Sequence, residues 1–274
     1  MGDDVFTMFK SQGAKDLGLD DKSAAAIVAN MDATTLPMCV GGTDLATIDT
    51  DEITILMFGI DKSLSMSPVE SLLITEFNDI LLPGLRGASQ GTRQSLLVGG
   101  IAFNENIDPM WNGKFWSLDD IKPLTQSDYR ASGRATALHA AQNRMFAEAA
   151  LCAANTIQVT NTPPKTILVV LSDGANNCPP HDPAAVKINA DKLSRELFVL
   201  AFAGFQTYEP VDFHEIARET GFEAVFETKA TSGESSADRQ RRFRHLIGTL
   251  SSSIIRQSQT QITPASSQTF WQAP

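Results

Sequence analysis

Asp61-Lys62-Ser63-Leu64-Ser65 sets a carboxylate and two hydroxyls at alternate positions of one short stretch. Hard oxygen donors at that spacing are able to converge on one hard cation. The pattern D-x-S-x-S alone is weak, expected by chance in on the order of one chain in ten of this length. Its surroundings strengthen it. The stretch directly follows the apolar run Ile53-Thr54-Ile55-Leu56-Met57-Phe58-Gly59-Ile60, which reads as a buried strand. It is followed by Ser67-Pro68-Val69-Glu70, which reads as a capping box with proline in the first helical position. Strand, oxygen-rich loop and capped helix is the order in which open α/β sheets present ligands at the carboxyl ends of their strands.

Two more loops are expected at the same edge. Lys165 to Leu171 is an uninterrupted apolar strand of the kind buried on both faces of a parallel sheet, and it ends in Ser172-Asp173-Gly174, a second carboxylate. Ser132-Gly133-Arg134-Ala135-Thr136 precedes a long alanine-rich helix predicted over about 136–156, which places Thr136 at a helix N-terminus.

The elements that must carry these loops alternate along the chain. Strand 53–60 leads to a helix from Pro68 with Leu72, Leu73, Phe77, Ile80 and Leu81 on its apolar face, ended by Gly84 and Gly87. Ser95 to Phe103 reads as a second strand and Lys114-Phe115-Trp116-Ser117 as a short edge strand. A helix over 183–195, a strand over 197–202, a helix over 211–219 and a short strand over 224–226 follow. The last helix, 236–256, carries Phe243, Leu246, Ile247, Leu250 and Ile254 at the spacing of one buried face. Strands alternating with helices over about 200 residues predict a three-layer α/β fold around a parallel sheet. Residues 1–50 are read as an N-terminal extension with one helical candidate, Lys22 to Asn30, residues 51–256 as the main domain, and the glutamine-, serine- and threonine-rich tail 257–274 as disordered.

Asp61, Ser63, Ser65, Thr136 and Asp173 together resemble the metal-ion-dependent adhesion site of the von Willebrand factor type A domain family. That site is written D-x-S-x-S, then a threonine ahead of a central helix, then an aspartate in T/S-D-G after a buried strand. The resemblance covers about Glu52 to Arg256 and implies a Rossmann-like, open, mostly parallel six-stranded sheet flanked by helices. It further implies that Ser63 and Ser65 bind the metal directly, and that Thr136 and the two aspartates bind directly or through water. The donor chemistry agrees. Hydroxyls, carboxylates and waters in an octahedral shell suit Mg²⁺ or Mn²⁺, and the absence of Cys and His from the motif speaks against zinc. Two aspartates roughly neutralise a divalent ion, so a sixth position left to solvent accepts an Asp or Glu carboxylate of a partner protein. Two departures stand out: Ala135 where the family has glycine or serine, and Lys62 inside the metal loop, expected to snorkel outward.

The resulting expectation is an intracellular Mg²⁺-dependent protein-binding module, for adhesion or scaffolding. The alternative is an accessory subunit of an AAA+ ATPase-driven remodelling or chelatase-type complex. A metal-dependent hydrolase, with Asp61 as nucleophile or ligand, and a scaffold with a vestigial site rank lower. No catalytic residue is assigned. Ser63 lacks the G-x-S-x-G elbow, and neither a G-x-x-x-x-G-K-[ST] loop nor a G-x-G-x-x-G fingerprint occurs. The four histidines have no zinc-site spacing, and His139 reads as an ordinary helix-surface residue in preference to a rim of the metal site.

Composition bounds the rest. With 42% hydrophobic and 20% charged residues the chain has the make-up of an ordinary soluble globule. A formal net charge of −10 disfavours nucleic acid as a partner, because the counterion-release contribution would be lost. No apolar run approaches the roughly 20 residues of a membrane span. Met1-Gly2-Asp3-Asp4-Val5-Phe6 is acidic where a signal peptide is basic, and Phe6 breaks the myristoylation pattern. Cys39, Cys152 and Cys178 are odd in number and far apart, so a reducing, cytoplasmic location is expected. The basic cluster Arg239-Gln240-Arg241-Arg242-Phe243-Arg244-His245 reads as a solvated helix face in preference to a docking patch, and Cys178 as exposed near the site. Phe270-Trp271 sits in polar tail sequence, where most such pairs are inert and a minority serve as docking peptides.

Overall fold

The two apolar runs at 53–60 and 165–171 become neighbouring strands at the centre of a sheet, β1 (Glu52–Asp61) and β5 (Lys165–Ser172). The computed structural model describes residues 52–89, 94–207 and 210–259. The N-terminal extension with its candidate helix Lys22 to Asn30, Cys39, and the tail past 259 with Phe270-Trp271 lie outside the described residues.

Beside β1 and β5 run β2 (Gln94–Phe103), β6 (Phe198–Phe205) and β7 (Ala224–Thr228), all parallel, in the order β2-β1-β5-β6-β7. Two short strands, β3 (Ile107–Pro109) and β4 (Trp116–Ser117), pair antiparallel with β2 and close that edge. The sheet is therefore open and mostly parallel, as expected, but it has seven strands where six were predicted. The extra one is β3, whose three residues end in proline and show no alternation; such a segment is tolerated only at a sheet edge.

Every residue of β5 is buried because both faces of the sheet are covered. On one face Ile55 and Met57 of β1 and Leu168 and Val170 of β5 pack with the helix α3 (Leu138–Thr160) and with α4 (Pro183–Lys192) and α5 (Phe213–Thr220). On the other, Leu56, Phe58 and Ile60 with Ile167, Val169 and Leu171 pack against α1 (Glu70–Glu76), α2 (Leu82–Ser89) and α6 (Ser236–Gln259). This is the period-two partition of a strand between two layers. Gly59 lets α3 pack closely on β1, since a Cβ there would stand 2.3 Å from Met145 Sδ.

The first helical region departs from expectation in three ways. A 3₁₀ turn over Leu64–Val69 takes up Pro68, and no side-chain capping bond forms at its start or at the start of α1. Glu70, assigned to the capping box, instead accepts a hydrogen bond from Ala131 N–H at 2.9 Å. Gly84 and Gly87 do not end the helix, since burial of Leu82 and Leu85 outweighs their weak propensity and α2 runs to Ser89. Between α1 and α2 a π-helical turn, Phe77–Leu81, shifts the helical phase, and Ile80 is left 46% exposed.

The arginine cluster on α6 is also not a merely solvated face. Arg242 pairs with Glu234, donates to the carbonyls of Thr228 and Gln206, and lies 4.3 Å from the Phe205 ring centre. Arg239 also pairs with Glu234, Arg244 with Glu76 and Arg241 with Asp238. These contacts tie α6 to β6, β7 and α1, using a carboxylate on Glu234 that no sequence periodicity points to.

Candidate metal centre

The register of the parallel strands aligns their carboxyl ends. Asp61 pairs with Phe103, Ile60 with Leu171, and Ser172 with Gly204. The residues that follow β1, β2, β5 and β6 therefore emerge along one edge. Chain order reverses between β1 and β5, so the edge includes the switch point where open α/β sheets leave a crevice.

At that point Asp61 is fully buried. Its Oδ1 accepts from Ser63 N–H at 2.8 Å and its Oδ2 from Ser172 Oγ at 2.6 Å, while its carbonyl accepts from the Tyr129 hydroxyl at 2.9 Å. Ser63 Oγ and Ser65 Oγ lie 2.9 Å apart, and Ser65 Oγ donates to Asp173 Oδ1 at 2.9 Å. Thr207 Oγ1 donates to the other Asp173 oxygen. Four of the five predicted residues, Asp61, Ser63, Ser65 and Asp173, thus come together.

Thr136 arrives from the loop before α3 and is buried. Among the described residues its hydroxyl has no hydrogen-bond partner. Its backbone is held by Asn177, whose Oδ1 accepts Thr136 N–H at 2.5 Å and whose own N–H donates to the Thr136 carbonyl at 3.1 Å. The rest of the loop is anchored amide by amide. Ala131 N–H goes to Glu70, Ser132 N–H to the Lys62 carbonyl at 2.6 Å, Arg134 and Ala135 N–H to Glu105 Oε2, and Ala137 N–H to the Asn104 carbonyl at 2.8 Å. Asn104 Nδ2 donates back to the Ser132 carbonyl at 2.9 Å. Gly133 adopts φ +83°, a left-handed conformation, and a Cβ there would meet Glu105 Oε2 at 2.2 Å.

Burial pushes the Asp61 carboxyl up to about 6, against the hydrogen bonds from Ser172 and Ser63 that pull it down, and the Asp173 charge adds to the rise. Burial raises Asp173 as well, opposed by its hydrogen bonds from Thr207 and Ser65. The side-chain hydrogen-bond partners of the two aspartates are Ser63 N–H and the hydroxyls of Ser172, Ser65 and Thr207, with no Lys or Arg among them. Two neighbouring buried carboxylates without a basic side chain are the electrostatic setting that a divalent cation relieves.

The donor chemistry suits a hard cation: the Ser63–Ser65 and Ser65–Asp173 oxygens lie 2.9 Å apart as ordinary hydrogen-bonded pairs, close enough for one ion to replace those bonds. The donor set is mainly hydroxyl: among the described residues no group of three or more His, Cys, Asp or Glu is placed to hold a metal.

Three neighbouring expectations are corrected. Lys62 does not snorkel outward. It is buried and its ammonium pairs with Asp108 on β3, the strand that the sequence did not announce. His139 is no surface residue: it is buried, its backbone N–H donates to Asn176 Oδ1 at 3.2 Å and its Nδ1 accepts from Asp182 N–H at 3.2 Å. The loop after Asp173 folds over the first turn of α3, and burial lowers the His139 pKa. Cys178, in that loop, is half-buried instead of exposed.

Sequence reasoning missed Ser172, Thr207, Asn104, Tyr129, Asn177, Glu70 and Glu105 as parts of the constellation. Asn104 directly follows β2 and Thr207 stands two residues past β6, so searching for polar residues past every parallel strand would have found both. Glu105, two residues past β2, falls to the same search; Tyr129 and Asn177 lie on loops and Glu70 on a helix, their partners are remote, and no local pattern marks these three.

Neither a family model nor a curated protein sequence matches the chain. Solved structures do. A von Willebrand factor type A protein from Catenulispora acidiphila is 18% identical over 72% of this chain and 42% of its own, with a TM-score of 0.42. The open form of the pilus adhesin SpaC from Lactobacillus rhamnosus GG is 11% identical over 75% of this chain and 30% of its own, with a TM-score of 0.48. Proximal thread matrix protein 1 from the mussel byssus, with a zinc-occupied metal-ion-dependent adhesion site, is 15% identical over 75% and 47%, with a TM-score of 0.42. The chain spans less than half the length of each of these three.

Proposed function

We propose that this chain is a Mg²⁺-dependent protein-binding module whose metal captures a carboxylate of a partner protein. Ser63, Ser65, Thr136, Asp61 and Asp173 hold the ion, directly or through water, with Mn²⁺ as a competent substitute. The observation that carries this reading is the convergence of hydroxyl and carboxylate oxygens around two buried aspartates whose side-chain hydrogen-bond partners are hydroxyls and a backbone amide, with no basic side chain among them. When bound, the ion supplies a positive charge and an exchangeable coordination position. The mouth of the site is open beside Ser65, which is half-buried, and Leu64, which is 58% exposed. A partner side chain would enter there, its Asp or Glu supplying a ligand beside those that Ser63, Ser65, Thr136, Asp61 and Asp173 would provide.

Binding is favoured over hydrolysis by what surrounds the hydroxyls. Among the described residues no histidine hydrogen-bonds to Ser63 or Ser65, and both aspartates are occupied in holding Ser63, Ser65, Ser172 and Thr207. A general base must reach the proton it takes. An intracellular setting accords with the free thiols Cys152 and Cys178, and no helix among the described residues is long and apolar enough to cross a membrane.

The test is capture of partners from the native cell by the full chain, with and without chelator, beside Asp61→Ala and Ser63→Ala variants of unchanged circular dichroism. The proposal expects one set of proteins lost under all three treatments. Retention of that set with chelator and in both variants contradicts it. An ATP-hydrolysing protein within the metal-dependent set assigns the chain as an accessory subunit of an AAA+ machine.

A further inference from the structure

Thr136 stands apart from the hydrogen-bonded chain that links Ser63, Ser65, Asp173 and Thr207, so whatever fixes its backbone decides whether its hydroxyl faces the same point. Neighbours on the loop are fixed by Glu70, Lys62, Glu105 and Asn104, but these hold residues 131, 132, 134, 135 and 137. Residue 136 itself is gripped by Asn177, twice: Thr136 N–H on Asn177 Oδ1 at 2.5 Å, and Asn177 N–H on the Thr136 carbonyl at 3.1 Å. Asn177 lies four residues past Asp173, on the loop that β5 delivers. The two bonds close a ring between the loop of the aspartate and the loop of the threonine. Asn176 adds a parallel contact one turn on, to His139 N–H.

We propose that Asn177 is a positioning residue that locks the Thr136 loop to the Asp173 loop, so that the two donors meet the metal as one rigid unit. The inference rests on the metal-binding reading above. Asn177 is exposed, so its side chain fills no core volume, and its removal leaves both packed layers intact. Its side-chain oxygen is the acceptor for the Thr136 amide, which stands before the first turn of α3. Without it that amide turns to water, and the threonine hydroxyl loses the backbone orientation on which its aim depends.

Two measurements on the full chain test this. Hydrogen exchange at the Thr136 amide reads the clasp without any metal. Asn177→Ala is expected to speed it by about tenfold or more, the signature of a locally opened bond, while Asn177→Asp, which keeps an acceptor oxygen, leaves it slow. Titration with Mn²⁺ alone then reads the consequence. Asn177→Ala is expected to weaken affinity by about tenfold, the lower end of what outer residues of metal sites contribute. In a Thr136→Ala background the same change should alter affinity by less than about twofold, because the two residues act as one unit. Unchanged exchange in Asn177→Ala overturns the clasp. Equal losses of affinity in both backgrounds overturn its route through Thr136. A wild-type chain that shows the exchange effect but takes up no Mn²⁺ refutes the metal reading instead, and with it the purpose assigned to the clasp.

Discussion

Asp61 must be ionised to hold a cation, in surroundings that resist ionisation. Its folded pKa of about 6 lies above the ordinary 3.8, so the folded state prefers the protonated form. The cost of ionisation therefore sets in as pH rises past the ordinary value and is complete above about 6. In metal-free protein near neutral pH, Asp61→Asn removes that charge while keeping an acceptor for Ser63 N–H. It is expected to raise metal-free stability by on the order of 1–3 kcal/mol while abolishing any rise in Tm on adding Mg²⁺. Thermal melts with and without Mg²⁺ check both halves. Ser63→Ala should behave differently: a shift of metal-free stability within about 1 kcal/mol, the worth of one hydrogen bond, with the Mg²⁺ response again lost. At this scale the convergence of Asp61, Ser63, Ser65 and Asp173 is legible in the sequence, because each stands at or just past the end of a strand. Lys62 turns inward against expectation because its partner, Asp108, sits on a strand too short to show in the sequence.

Among the elements, the segment 131–137 has no regular secondary structure, yet six of its seven amides are bonded to remote groups. It is a preformed loop fixed by side chains and carbonyls of α1 and of the turns after β1, β2 and β5. Gly133→Ala forces a Cβ into the Glu105 carboxylate at a left-handed φ. Strain of about 1–3 kcal/mol is expected, seen as a lower Tm together with weaker Mn²⁺ binding. A second prediction concerns the far end of the sheet. Lys165, first residue of β5, donates to the carbonyl and side-chain oxygens of Gln257 at the end of α6, and burial lowers its pKa to about 8 from 10.5. The unfolded chain holds this proton more tightly, so this lysine makes stability rise as pH climbs from about 8 to 10.5. Lys165→Met should flatten that slope in denaturant titrations. The strands and the stripe of α6 were legible because burial on two faces or one leaves a periodic apolar pattern. The π turn at Phe77–Leu81 and the clasped loop were not, since both are decided by contacts distant in sequence.

For the molecule as a whole, a sheet covered on both faces holds four loops in register at one edge, and the five candidate donors depend on that register. A cation that binds only the folded chain stabilises it by mass action, about 2.7 kcal/mol at a concentration of 100 times Kd. The overall α/β alternation was readable from residue 53 onward, whereas the antiparallel edge and the ties of the α6 arginines emerged only from the packed chain. In the proposed reading Asp61, Ser63, Ser65, Thr136 and Asp173 form one divalent-cation site. Calorimetric titration of the full chain with Mg²⁺ and Mn²⁺, beside Asp61→Ala, Ser63→Ala and Thr136→Ala variants that remain folded, tests it most directly. Saturable binding of one ion per wild-type chain is expected, lost in Asp61→Ala and Ser63→Ala and clearly weakened in Thr136→Ala. A wild-type chain that binds neither ion, or variants that bind as the wild type does, would contradict it.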